Sequence, residues 1–209
     1  MNATRVINRI EAFAKKSTHG FDSGHDWWHL DRVRNLALYL QKAENTGDRF
    51  IIEISALLHD IDDKKFRTTG GPGADAIISE LLMGLGVGEN IIHDVIRINK
   101  YISFSSGAKN EISSAEFLIV QDADRLDAIG AIGIARAFNY GGFRNNAIYI
   151  PDNDGGVNNP STIGHFYDKL LLLRDMMNTS TARELASERH KVLEEFLGNF
   201  YHEWNFPKE

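Results

Sequence analysis

The run Ile54-Ser-Ala-Leu-Leu-His-Asp60 ends an apolar stretch in an imidazole beside a carboxylate. A carboxylate taken into hydrocarbon is stable only when its charge is compensated, and a divalent cation is a common partner. His59 and Asp60 therefore read as two metal ligands delivered to the tip of a buried helix. The same dipeptide recurs at His93-Asp94. There, Ile91-Ile-His-Asp-Val-Ile-Arg97 has the pattern of an ordinary amphipathic helix with a polar edge, and His93 reads as structural. What separates the two pairs is company. His59-Asp60 has an upstream partner segment, His25-Asp-Trp-Trp-His29, and a downstream one, Asp122-Ala-Asp-Arg-Leu-Asp127.

The elements that must position these groups are helices. Val6, Ile10, Phe13 and Ala14 give helical spacing over residues 2–16. Asp26 can cap a second helix that carries Trp27, Trp28, Val33, Leu36, Ala37 and Leu40, with the tryptophans as core and rim packing. A third starts near Asp48 and ends at His59-Asp60. Gly70-Gly-Pro-Gly73 and the glycines at 84, 86 and 88 break the chain around Ala74–Leu85. Helical patterns resume across 89–103 and 111–139. Residues 140–160 read as a long loop with a short extended piece at Ala147–Ile150. Ser161 or Thr162 caps a helix through Leu170–Leu173, and a last helix spans about 180–204. The expected class is all-α, one domain over 1–209, with helices 161–204 packing on the core.

Composition bounds the function. The chain has 209 residues, 43% of them hydrophobic, which is enough for a sizeable core. It has no cysteine, so disulfides, thiolate metal sites and cysteine nucleophiles are excluded. That absence, with an N-terminus unlike a signal peptide and no continuous apolar span, sets the expectation of a cytoplasmic protein without a membrane partner. A net charge of −6 without a Lys/Arg block disfavours generic binding to duplex nucleic acid. A local site for a phosphorylated small molecule remains compatible with it.

On a 3.6-residue period, Phe117, Val120, Asp124, Asp127, Ala128, Ala131 and Ala135 share one stripe. Asp122 falls with Arg125, Ile129 and Arg136 on a face with more options for solvent. This places Asp124 and Asp127 on the buried side and leaves both as candidate ligands.

Taken together, Gly24–His29, His59–Phe66 and Gln121–Ala131, followed by His165-Phe-Tyr-Asp-Lys-Leu170 and Met177-Asn-Thr179, resemble the HD-domain metal-dependent phosphohydrolases, and within them a bacterial branch of the YpgQ/YedJ type. The resemblance covers nearly the whole chain. It implies an HD-domain helical bundle and a metal set of His29, His59, Asp60 and Asp124. Two imidazoles and two carboxylates would hold one divalent ion and leave octahedral positions for water and a phosphate oxygen. Mn²⁺ or Mg²⁺ is favoured, with Fe²⁺, Co²⁺, Zn²⁺ and Ni²⁺ admitted. The matched positions after the pair are Asp63, a candidate proton acceptor from water, and Lys65, a candidate for neutralising phosphate charge. Each competes with the reading of a solvated charged run. His25 is a candidate for substrate contact or support of a ligand, against a plain turn histidine. Asp127 is a candidate acceptor for a ligand histidine, against a salt bridge. His165 and Lys169, four apart, are candidate substrate contacts on one helix face. The implied substrate is a nucleoside or deoxynucleoside triphosphate, cut to monophosphate and pyrophosphate. A nucleoside monophosphate phosphatase, a cyclic-nucleotide phosphodiesterase and a non-catalytic nucleotide sensor are the alternatives. The chain is expected to be a monomer or homodimer.

Overall fold

A computed structural model describes residues 2–18, 26–61, 73–102, 113–151 and 159–206. Among these, the chain is all-α: nine α-helices and one 3-10 helix, with a single isolated parallel bridge, Ala147 to Ser161, where the extended piece was expected. No described helix is long and apolar enough to cross a membrane. The chain divides into two compact units, Met1–Asp124 and Arg125–Glu209.

The first unit holds α1 (Ala3–Ser17), α2 (Trp27–Glu44), α3 (Arg49–Leu58), α4 (Ala74–Gly84), α5 (Glu89–Tyr101) and most of α6 (Ala115–Asp127). The starts of α2 and α3 are set by side chains that satisfy the open amides of a first turn. Asp26 accepts from the His29 N–H at 3.0 Å, and Asp48 accepts from Phe50 and Ile51 at 2.8 and 3.1 Å. Helix α3 packs against α1, α2 and α5, and every residue from Ile52 to Leu58 is buried. A helix apolar nearly all round belongs in a centre. Its Ile54, Leu57 and Leu58 join Val6 and Ile10 of α1, Leu30 of α2, Ile78 and Leu82 of α4 and Ile92 and Val95 of α5 in one core. The charged residue in this buried stretch is Glu53, at 8% exposure. Arg34 answers it: its Nε lies 3.9 Å from Glu53, while its two terminal nitrogens lie 3.0 Å from Glu11 and 3.7 Å from Asp31. Trp27 is half-buried with the Lys15 ammonium 4.5 Å above its ring, whereas Trp28 is 64% exposed and belongs to neither core nor rim.

The second unit holds α7 (Gly130–Phe143), α8 (Thr162–Asp168), the 3-10 helix Leu170–Met176 and α9 (Ser180–Trp204). Phe138 of α7, Phe166 of α8 and Phe196 of α9 form its aromatic centre, with ring centroids 5.6–6.0 Å apart. Arg125 donates to the Met176 carbonyl and Arg189 to the Leu126 carbonyl, satisfying groups that helix ends leave open.

Four expectations are corrected. The pattern over 111–139 is not one helix: α6 stops at Asp127, and Gly130 starts α7 with φ +76°, a left-handed conformation that ends a helix. The stripe from Phe117 to Ala135 therefore does not continue, and Ala131 and Ala135 are exposed. Residues Ile119–Ala123 are all buried, so α6 has no solvent face there; Asp122 is fully buried, and Asp124 is the more open of the two. Helix α8 ends at Asp168, and Lys169 turns the backbone out of helical geometry at φ −141°, so His165 and Lys169 do not share a regular helix face. The loop at 140–160 starts later than expected, since α7 runs to Phe143 and residues 152–158 lie outside the described ones.

Candidate metal centre

Three helix segments of the first unit bring four side chains together. His29 sits in the first turn of α2, held by the cap in which Asp26 accepts its amide. His59 is the residue after α3, still in helical conformation at φ −66° and ψ −29°. Its Nδ1 lies 2.8 Å from the Ala56 carbonyl, which can only accept, so Nδ1 carries the proton and Nε2 turns inward. Asp60 follows it, and Asp124 comes from α6.

The distances are short. The Nε2 atoms of His29 and His59 stand 3.1 Å apart. From His29 Nε2, Asp60 Oδ2 is at 3.4 Å and Asp124 Oδ1 at 3.6 Å. From His59 Nε2, the same two oxygens are at 3.8 and 3.7 Å. Both imidazoles are sealed, at 0% and 1% side-chain exposure, while Asp60 and Asp124 keep 23% and 30%. The nitrogen side is enclosed and the oxygen side faces solvent.

Charge follows this layout. Burial works against a charged His59, but the Asp60 charge and the adjoining Asp124 outweigh it and push the imidazole up to about 9. Partial burial would raise the Asp124 carboxyl; His59, and then the charge of His29, instead hold it at about 2. Negative charge collected around two inward nitrogens is an arrangement that asks for a cation. An octahedral ion with bonds of about 2.1 Å sets neighbouring donors about 3.0 Å apart, and a tetrahedral ion sets them at about 3.4 Å. The observed 3.1–3.8 Å needs closure by no more than several tenths of an ångström. One donor atom each from His29, His59 and Asp124 lies within 4.8 Å of the others. The residues present fit a divalent ion.

Of the remaining candidates, His25, Asp63 and Lys65 lie outside the described residues. Asp127 is buried at 2% exposure and pairs with Arg136 at 2.9 Å. The acceptor on His59 is the Ala56 carbonyl, a main-chain group that residue types alone do not reveal. The signal was nonetheless available: a histidine just past a helix end stands one turn from a carbonyl that the helix leaves open. His165 is exposed, on α8 in the second unit, and Lys169 follows that helix. His93 is exposed, 4.0 Å from Asp94 and on the surface of α5.

No protein-family model matches the sequence. A curated relative, the uncharacterised protein YpgQ of Bacillus subtilis, is 44% identical over 199 residues, covering 94% of this chain and 93% of its own. A crystal structure of that YpgQ in complex with ADP superposes with a TM-score of 0.79 at 38% identity, over 96% of this chain and 98% of the other. A crystal structure of an HD-superfamily hydrolase from Bacillus thuringiensis matches at TM-score 0.76 and 39% identity, over 99% and 100%. Similarity this high over nearly the full length, with all four ionisable groups in one cluster, places the chain in the HD-superfamily hydrolases, in the branch that includes YpgQ.

Proposed function

We propose that this protein is a metal-dependent phosphohydrolase of nucleotides, cutting a nucleoside or deoxynucleoside triphosphate to monophosphate and pyrophosphate. The observation that carries the reading is the cluster of His29, His59, Asp60 and Asp124, closed on its nitrogen side and open on its carboxylate side. The ADP in the similar YpgQ structure supports a nucleotide as the ligand class. Two nitrogens and two oxygens suit Mn²⁺ or Mg²⁺, and the 3.1 Å separation of the nitrogens matches adjacent octahedral positions.

Such a cation, when bound, polarises a phosphoryl oxygen and acidifies water. The chain's own residues do the rest. His29 and His59 fix the ion from the sealed side, His59 with its tautomer set by Ala56. Asp60 and Asp124 hold it at the solvent side, where a phosphate chain can approach. Asp63 accepts a proton from the attacking water, and Lys65 neutralises charge that builds on the phosphate.

The test is a nucleotide panel offered to chelator-stripped protein with Mn²⁺, Mg²⁺, Co²⁺ or Zn²⁺ restored, resolving orthophosphate from pyrophosphate. Pyrophosphate supports the reading. Orthophosphate from monophosphates makes the protein a phosphomonoesterase, and binding without turnover makes it a sensor. His59→Ala and Asp60→Ala should each abolish metal uptake and turnover together. Full activity in either variant would overturn the assignment.

A further inference from the structure

Helices α2 and α3 form a hairpin whose free ends meet at the metal centre. Residues 45–48 connect them, and Asn45 at φ 51° and Gly47 at φ 80° turn the chain back. The turn pins one end only. Roughly 22 Å of helix rise separates His29 from the other end of α2 at Glu44, and His59 directly follows α3. Something between the turn and the histidines has to hold the two helices in step.

Apolar packing does this poorly. Helix α3 is buried at every residue from Ile52 to Leu58, and burial of hydrocarbon has no direction, so it specifies a slide less sharply than a polar contact does. Ser55, one turn before His59, is fully buried, but its hydroxyl has no hydrogen-bond partner among the described residues. Glu53 remains. It faces Arg34 of α2, whose Nε lies 3.9 Å from Oε1. The same guanidinium donates to Glu11 of α1 at 3.0 Å and lies 3.7 Å from Asp31, so one side chain touches three helices. Glu11 also accepts from Lys15 at 2.6 Å, and the Lys15 ammonium lies over Trp27, the first residue of α2.

The Arg34–Glu53 pair is in register with the histidines. His29 stands five residues before Arg34, and His59 six after Glu53. The two pairs are therefore rungs of one antiparallel ladder, roughly 7.5–9 Å apart. A slide of one residue moves a side chain by about 1.5 Å. The 3.1 Å between the histidine nitrogens already suits adjacent positions on one ion, and ligand distances tolerate only about 0.2 Å. We propose that Arg34 is a positioning residue for the metal centre: its bridge to Glu53 sets α2 against α3, and thereby the separation of His29 and His59. The inference rests on the metal reading of the cluster and is independent of the reaction catalysed.

The test uses the full-length protein with Arg34→Met and Glu53→Gln together, which removes both charges and strands neither partner. Its urea midpoint should lie near the parent's. Mn²⁺ affinity, read by calorimetry, should fall about tenfold or more, the usual loss when groups that orient ligands are removed. The visible absorption of bound Co²⁺, which follows ligand geometry, should change with it. Gly164→Ala, a packing change in the second unit, should keep the parent's affinity and Co²⁺ spectrum below its unfolding transition. Arg34→Lys keeps a cation beside Glu53 without a fork to hold Glu11 as well, so its affinity should fall between those of parent and double variant. A double variant with the parent's affinity and spectrum would overturn the proposal, as would an equal loss in Gly164→Ala. Should the double variant fail to fold, Arg34→Lys decides, and parent affinity there overturns the proposal. Crystals of the metal-free double variant should show the two Nε2 atoms farther apart by roughly 1.5 Å, one residue of rise, and an unchanged separation would overturn it too. A parent protein that takes up no Mn²⁺ would sink the metal reading, and this last comparison would still decide the register.

Discussion

Loading the metal centre should expel a proton, and the amount follows from the surroundings of His59. Asp60 and Asp124 push its imidazole up to about 9, so at pH 7.5 nearly every metal-free molecule carries that proton. A cation needs the Nε2 lone pair, and about one proton must leave from His59 as it binds. Apparent Mn²⁺ affinity should therefore rise about tenfold between pH 7 and pH 8, whereas a histidine titrating near its usual 6.5 would give only about 1.3-fold. Calorimetry in paired buffers of different ionisation enthalpy reads both quantities. The proton release should fall to about half near pH 9. The same shift has a second consequence for metal-free protein. A raised imidazole stabilises the fold fully below about pH 6.5, and that contribution, about 3 kcal/mol as an upper bound, is lost as the pH climbs through 9. Asp124, held at about 2, acts in the opposite sense: its share is present above about pH 4 and lost as the pH falls through 2. Both describe one cluster and are not to be added. Metal binding with no proton release at pH 7.5 and a flat affinity from pH 7 to pH 8 would refute this charge layout.

Packing gives three further outcomes. Gly164→Ala places a methyl 1.9 Å from the Asn159 carbonyl, which is backbone and cannot swing aside, so the fold should lose about 3 kcal/mol in urea titration. Arg34→Met strands Glu53 in the core at a cost of about 2 kcal/mol, and adding Glu53→Gln should recover much of it; equal loss in single and double variants would mean that the Arg34–Glu53 contact contributes little. His93→Ala removes an exposed side chain and should change stability by less than about 0.5 kcal/mol, with Mn²⁺ uptake intact by atomic absorption.

Much of the helical order was legible because the signals are local. Asp26 and Asp48 are short acids ahead of apolar periodicity, and both cap the helices that carry His29 and lead to His59. The glycines at 84, 86 and 88 end α4 and precede α5 as their lack of a side chain suggests. Where periodicity misled, the cause was physical. A left-handed residue such as Gly130 leaves no trace in an apolar pattern rich in small residues, so two helices read as one. The face of Asp122 was assigned to solvent on the assumption that every helix has a wet side, and the middle of α6 has none. The grouping of His29, His59, Asp60 and Asp124 came from matching motifs to a family. Periodicity alone left Asp124 and Asp127 level, and the pairing of Asp127 with Arg136 appears only in the folded protein.

Among the described residues, two dry imidazoles stand behind two wet carboxylates, so the centre meets solvent on the side of Asp60 and Asp124. A chelator working from that side meets the two carboxylates before it reaches the ion. A bulky anion such as EDTA meets their repulsion first and should strip the protein slowly, faster as salt shortens the reach of their charge. Dipicolinate, smaller and less charged, should empty the same centre sooner at equal driving force.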